Sequence, residues 1–483
     1  MKIIAKSLLL AALLLPAAAW SAPESSKTPD QAGAAGQASA NPARAESGGP
    51  INLDITEFDL PNGLHVILSE DHRVPVIDTN IMYNAGSADE TKGRTGFAHL
   101  FEHLMFGGSA HVGKGQFEKL MFSVHGSCNA GTQEDYTEYF NTVPSNALPM
   151  VLFLESDRMG YYLDSLRPGI VDEQRDVVKN EIQEGSTKGL QNARAALYPS
   201  DHPYSWSALG SVEDVTAAGY EDVVNFYKAN YAPGNASLAV VGDFDTAEAK
   251  KMIEHWFSDV PPGRGRNRAV NTDPVKLNGV IGKTVTDDVS SAYRILLWPA
   301  PAQYQDGDAA LSILAHILGG SYGQEYSRFK KRLLDGQYAR QVYAAKTSMK
   351  RGSHFYISFS PEPGHTLEEV QNIIDEELER ISRETPDRKE VDLSCNFFEN
   401  FIYLIIPNNK QLAKQLNLYY WAFGRADGFN RDLELYRRVT PEEISACAKR
   451  YLSRDKRVEI TVVPERKKAD SAAAAGIAKE EKT

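Results

Sequence analysis

The sequence predicts an α+β protein of two similar domains, each a mixed or antiparallel sheet with helices packed on it. Three observations predict this. At 483 residues the chain is longer than one hydrophobic core usually serves. A weak internal repeat runs through it. Val215-Thr216 leads through Phe226–Tyr231 to the apolar run Asn235–Gly242, and Val439-Thr440 leads through Ala448–Leu452 to Arg457–Pro464. Each copy reads as a Thr-capped helix followed by a strand able to close a sheet. Finally, Pro261–Asn267, rich in Pro, Gly and Arg, reads as a joint. The two domains are placed at about 51–270 and 275–466.

Taken in order, the N-terminus (1–22) reads as a secretory signal peptide. Lys2 and Lys6 precede an apolar core, Leu8 to Leu15, and Ala17–Ala19 offers a small-residue cleavage site. That core is too short to span a bilayer, and no later segment is long enough, so no transmembrane segment is expected. No cysteine follows the core to carry a lipid. Export to the periplasm as a soluble protein is the simplest reading. Residues 23–50, rich in Ala, Gly, Ser and Pro, read as a disordered linker, and 467–483 as a disordered tail. Folded sequence begins near Ile51. Glu57–Leu68 carries a hairpin signature at Asn62-Gly63, and Val74–Tyr83 reads as the next strand.

A net charge of −12 argues against nucleic-acid binding, which needs basic patches. There are three cysteines, Cys128, Cys395 and Cys447. Their odd number and wide spacing imply no disulfide framework, and only a bridge from Cys395 to Cys447 stays open. Cys128 has no base placed to activate it and reads as packing. Gly319–Gly323 is glycine-rich but lacks the Lys-Ser/Thr ending of a phosphate loop.

The most informative stretch is His99-Leu100-Phe101-Glu102-His103, an H-x-x-E-H pattern. Positions i and i+4 share one helix face, so both imidazoles can reach one metal ion. Glu102 is placed to handle the proton of a water activated there. The flanking Phe97, Leu104 and Met105 predict a largely buried helix, where imidazoles and carboxylates need partners. A catalytic zinc site takes three protein ligands. A charged helix downstream, Val171–Glu184, offers carboxylates and sets Val177, Val178 and Ile182 on one side.

From Gly96 to Pro144 the chain resembles the pitrilysin-type (inverzincin) metallopeptidases, above all the mitochondrial processing peptidase branch and its bacterial relatives. The matching residues are His99–Gly108, Gly126–Thr132 and Asp135–Tyr139, with Arg175–Glu181 matching the third-ligand helix. The likeness extends over nearly all of 51–466. It implies that His99, His103 and Glu181 bind one Zn2+ per chain and that Glu102 is the general base. It implies that Asn129 and Ala130 lie on an edge strand that pairs with an extended substrate. Phe106 would line the pocket just after the scissile bond. One departure is Gln174, where the family carries a supporting glutamate; glutamine can hydrogen-bond but brings no charge. Family members with two such halves close like a clamshell, and this chain resembles one half. The partner is then a second copy, or a homologous subunit without the zinc motif. The family's opposite half supplies an Arg and a Tyr seven apart. Arg332 and Tyr338 are six apart, and Lys331 stands seven before Tyr338, so the pair is not assigned. The expected function is a zinc endopeptidase that cuts peptides or unfolded segments in an enclosed chamber. The alternative is a catalytically weak or inactive peptide-binding subunit. A metal-storage protein would show denser clustering of His and Cys.

Overall fold

Two sheets carry the fold, and their strand orders match. In the computed structural model residues 50–185, 188–263, 275–320 and 326–465 are described. The expected signal peptide, the tail and all but the last residue of the linker lie outside them. So do parts of the Pro261–Asn267 joint and of Gly319–Gly323. The first sheet comprises β1 (Thr56–Asp59), β2 (His65–Glu70), β3 (Val76–Tyr83), β4 (Ser127–Thr132), β5 (Thr137–Pro144) and β6 (Ala236–Gly242), in the order β1-β2-β6-β3-β5-β4. The second comprises β7 (Ile281–Asp287), β8 (Tyr293–Ala300), β9 (Ala339–Thr347), β10 (Ser353–Pro361) and β11 (Val458–Pro464), in the order β7-β11-β8-β10-β9. Strands β2 and β6 run parallel, as do β7 and β11, and the remaining neighbours are antiparallel. Thus β2-β6-β3-β5-β4 and β7-β11-β8-β10-β9 are the same arrangement. The weak repeat in the sequence falls on β6 and β11, the equivalent strands.

The first half contributes helices α1 (Phe97–Leu104), α2 (Gln116–Ser123), α3 (Leu148–Ser165), α4 (Pro168–Gly185), α5 (Lys188–Leu197), α6 (Val212–Ala217), α7 (Tyr220–Asn230) and α8 (Thr246–Phe257). The second contributes α9 (Asp308–Gly319), α10 (Leu367–Arg383), α11 (Arg388–Ile405), α12 (Asn409–Phe423), α13 (Phe429–Arg437) and α14 (Pro441–Tyr451). Thr440 caps α14 as expected, its hydroxyl accepting from Glu443 N–H. The matching expectation for Thr216 is corrected. Thr216 lies inside α6, which Ser211 caps, and α7 starts after Gly219.

Alternation in β5 decides what each sheet face meets. Tyr139 and Val143 turn into a core shared with α1, α3, α7 and α8. Glu138 turns to the opposite face, where it accepts from Lys414 Nζ on α12 at 2.6 Å. Helix α12 belongs to the second half of the chain, yet it covers β3 and β6 of the first sheet. Asn417 donates to Asn80 O at 2.9 Å, and Trp421 Nε1 to Ser237 Oγ at 2.9 Å. Helix α5 does the converse. Its Ala193 and Leu197 are buried against Leu297, Ile460 and Val462 of the second sheet. Each sheet is therefore covered on one face by its own helices and on the other by a helix from the other half. This exchange joins the two halves, among the described residues after Asn52, into one compact unit. No helix among the described residues is long and apolar enough to cross a membrane.

Candidate metal centre

Helix α1 has no side-chain cap of its own. Gly96 holds the N-cap with φ of +87°, a conformation that favours glycine. The buried carboxylate of Glu90 takes the place of a cap, accepting from Gly96 N–H at 3.0 Å and Ala98 N–H at 2.9 Å. Phe97, Leu100, Phe101 and Leu104 anchor the helix in the core, with Phe101 stacked on Tyr231 and Phe226. Full burial of Phe101 contributes roughly 2–3 kcal/mol. The side left over presents His99 and His103.

Three ligand atoms converge there. His99 Nε2 and His103 Nε2 lie 3.3 Å apart. Glu181 Oε2, from α4, lies 3.4 Å from the first and 3.2 Å from the second. Donors bound at about 2.0–2.1 Å in a tetrahedron around zinc are separated by about 3.3–3.4 Å. The spacing and the His2Glu donor set therefore fit zinc. The three groups also pair with one another. Burial opposes the ionised form of Glu181, but hydrogen bonds and charge from His103 and His99 outweigh it and hold the carboxyl down at about 2. Burial likewise disfavours the His103 imidazolium, but Glu181 and the charge of Glu102 outweigh it and raise its pKa.

Glu102 does not join this trio. Its Oε2 accepts from Thr132 Oγ1, at the end of β4. Among the described residues strand β4 pairs with β5 alone and is the edge of its sheet. Asn129 is exposed and Ala130 buried on that strand. The Asn129 side-chain carbonyl accepts from the Ala130 N–H at 2.9 Å. Phe106 sits edge-on to Phe117 and carries the Arg158 guanidinium 5.2 Å from its ring centre. An open pocket of about 340 Å³ adjoins His103 and is lined further by Phe106, Gly107, Lys114, Gly115, Glu118 and Gln174.

Elsewhere the expectations divide. Val177 is corrected: it is 39% exposed, whereas Val171, Val178, Ile182 and Gly185 are the buried residues of α4. Cys128, Cys395 and Cys447 form no disulfide with one another. Burial raises the Cys128 thiol to about 11, which suits a packing residue. Arg332 is engaged by Glu376 at 2.9 Å and Glu377 at 3.1 Å, and Tyr338 leans on His365. Sequence reading missed Glu90, Thr132 as the partner of Glu102, and Arg158 beneath Phe106. Thr132 stood at the end of a quoted motif, and Glu155 with Arg158 shows i,i+3 charge spacing, signals too common to act on.

The chain is similar to known proteins along most of its length. Residues 65–202 match the insulinase family, peptidase family M16, and residues 217–396 match the peptidase M16 inactive domain. The chain belongs to the M16 peptidase family. It is 28% identical over 359 residues to the zinc protease PqqE of Helicobacter pylori, covering 71% of this chain and 78% of that one. It is 22% identical over 417 residues to the mitochondrial-processing peptidase subunit beta of Blastocladiella emersonii, covering 84% and 88%. The fold matches the crystal structure of a protease from Helicobacter pylori with a TM-score of 0.76 at 23% identity, over 85% of this chain and 100% of that one. It also matches the first half of the periplasmic protease PqqL from Escherichia coli, with a TM-score of 0.70 at 19% identity, over 89% and 97%.

Proposed function

We propose that this protein is a zinc-dependent endopeptidase acting on extended peptides. The observation that carries the reading is the convergence of His99, His103 and Glu181 with ligand atoms 3.2–3.4 Å apart. These three residues would hold the ion. Bound zinc would supply Lewis acidity for the scissile carbonyl and a lowered pKa for the attacking water. The chain's own residues do the rest. Thr132 holds Glu102 Oε2, which leaves Oε1 to accept the water's proton and pass it to the departing amine. The open edge of β4 at Asn129 and Ala130 would bind substrate backbone, and Phe106 would form an apolar wall for the side chain after the cut. Gln174 lines the pocket beside His103 and brings no charge to it.

The two domains are assigned to 51–270 and 275–466, since each sheet is assembled wholly within one range. The missing half of the chamber would come from a second copy or a homologous, zinc-less subunit. The leader-like residues 1–22 and the periplasmic relative support a periplasmic location. A second reading, a weak or inactive peptide-binding subunit, is favoured by the neutral Gln174 and by the likeness of 217–396 to the inactive domain.

The test is zinc content and peptide hydrolysis of the full chain, alone and with a homologous subunit. Glu102→Gln should keep the metal and lose about 10²–10⁴ in kcat. Stoichiometric zinc with no cleavage in either pairing would hand the case to the second reading.

A further inference from the structure

Two of the three proposed ligands ride on a helix too short to hold itself. Helix α1 has eight residues, with His99 in its first turn and His103 in its last. Isolated helices shorter than about 12–15 residues are marginal in water, and helix ends fray. The aim of His99 therefore depends on what holds the first turn. Its own ring offers little help. His99 Nδ1 is buried and has no hydrogen-bond partner among the described residues. Histidines that bind a metal usually have that second nitrogen held by a carboxylate, a carbonyl or water. Glu90 supplies the hold at the backbone instead, through the N–H groups of the N-cap residue Gly96 and of Ala98, just before His99.

Glu90 is itself fixed from three directions. It follows a single 3₁₀ turn, Ser87–Asp89, whose residues are all buried. Ser87 N–H donates to Gln133 O at 3.1 Å, and Ala88 N–H to Glu134 O at 2.8 Å. Trp206 Nε1 donates to Ser87 O at 2.9 Å. Arg351, from the second half, donates to Asp89 at 2.8 Å. Gly86 permits this close approach, since a Cβ there would lie 2.4 Å from both Gln133 O and Glu134 O. Gln133 directly follows Thr132, whose hydroxyl holds Glu102. The same short turn thus ties the helix carrying His99 to the strand end carrying the partner of Glu102. We infer that Glu90 is a positioning residue of the metal centre. Through the backbone of α1 it aims His99, and through Ser87–Asp89 it keeps that aim in register with Thr132. The inference rests on the peptidase reading above and adds to it a residue outside the metal-binding motif.

The experiment compares Glu90→Met, which keeps the bulk and removes both acceptors, with Glu90→Gln, which keeps one acceptor oxygen. Full-length protein is used throughout. Zinc affinity is read by competition with a chelator, and kcat per bound zinc and KM with one flexible peptide. Glu90→Met should weaken zinc about tenfold and lower kcat per zinc about 10–100-fold, with KM within about twofold. Glu90→Gln should recover most of both losses. Amide exchange at Phe97–Leu104 should quicken in the Met variant, which reports on the helix without any turnover. Should Glu90→Met not fold, Glu90→Asp, one methylene short of the N–H groups, should still lower kcat per zinc about three- to tenfold. A residue that only stabilised the fold would reduce the amount of zinc-loaded protein and leave kcat per zinc unchanged. That result, or a Gln variant as impaired as the Met variant, would overturn this inference and leave the peptidase reading standing. A parent chain that binds no zinc and cuts no peptide, alone or with a homologous subunit, would remove the peptidase reading and this inference with it.

Discussion

Thr132 Oγ1 donates a 2.7 Å hydrogen bond to Glu102 Oε2, tying the edge strand β4 to the helix that carries both imidazoles. One contact thus couples the position of the proposed base to the strand proposed to hold substrate. Thr132→Val removes the hydroxyl but keeps the shape. It should lower kcat about 10–100-fold with zinc content unchanged, and Thr132→Ser should restore most of the loss. Steady-state kinetics beside metal analysis decides; a loss of zinc in the Val variant would mean that the hydroxyl holds the helix rather than the base.

Gly96 sets the start of α1. A Cβ there would lie 2.7 Å from Val215 Cγ2 and 2.9 Å from Leu209 O, on a backbone with φ of +87°. Both terms oppose Gly96→Ala, which should cost about 2–3 kcal/mol and weaken zinc binding. Denaturant midpoints and competitive zinc titration measure the two effects. An unchanged midpoint would show that the loops around Gly96 relax freely.

Arg351, in the turn between β9 and β10, reaches across to the first half. Its guanidinium donates to Ala88 O at 2.5 Å and to buried Asp89 at 2.8 Å, and the neighbouring Lys350 N–H donates to Asp135 at 2.9 Å. Asp135 lies in the turn joining β4 to β5. Arg351→Ala takes the guanidinium from a buried carboxylate and should cost about 3 kcal/mol. Amide exchange should quicken across Cys128–Thr137, measured by mass spectrometry. If protection there is unchanged, the second half does not steady β4.

Asp432 accepts from the Tyr419 hydroxyl at 2.8 Å. Burial pushes its pKa up to about 6, and the Tyr419 bond offsets only part of that. A raised carboxyl contributes stability that is full below the unfolded value of about 3.9 and lost as pH rises through about 6. Asp432→Asn keeps an acceptor for Tyr419 and cannot ionise. Above pH 6 it should be more stable than the parent by about 1 kcal/mol, allowing for residual solvent and for the lost helix-terminal charge. The gap should close below about pH 4. Parallel melts at several pH values test the sign; a constant gap would place the carboxyl in its ordinary range.

Local chemistry was readable where the partners are close in sequence. His99 and His103 share a face because the helix repeat puts them there, and the Asn62-Gly63 hairpin appears between β1 and β2 as expected. Glu181 was different. Several carboxylates on α4 had the right chemistry, and only the family resemblance singled it out. The cap from Glu90 and the grip of Thr132 on Glu102 join segments with no shared periodicity, so no local pattern announced them.

The sequence by itself determined that two α+β units follow one another, that their closing strands repeat, and that one helix carries two imidazoles and a carboxylate on and beside one face. Tertiary structure alone decided that α12 would cover the first sheet and α5 the second. It also decided which carboxylate would face the imidazoles. The physical reason is that an apolar helix face specifies that it must be buried, since the hydrophobic effect has no direction, and leaves open against what. The choice of partner comes from shape and from pairs such as Asn417 with Asn80, which meet only when the whole chain has packed.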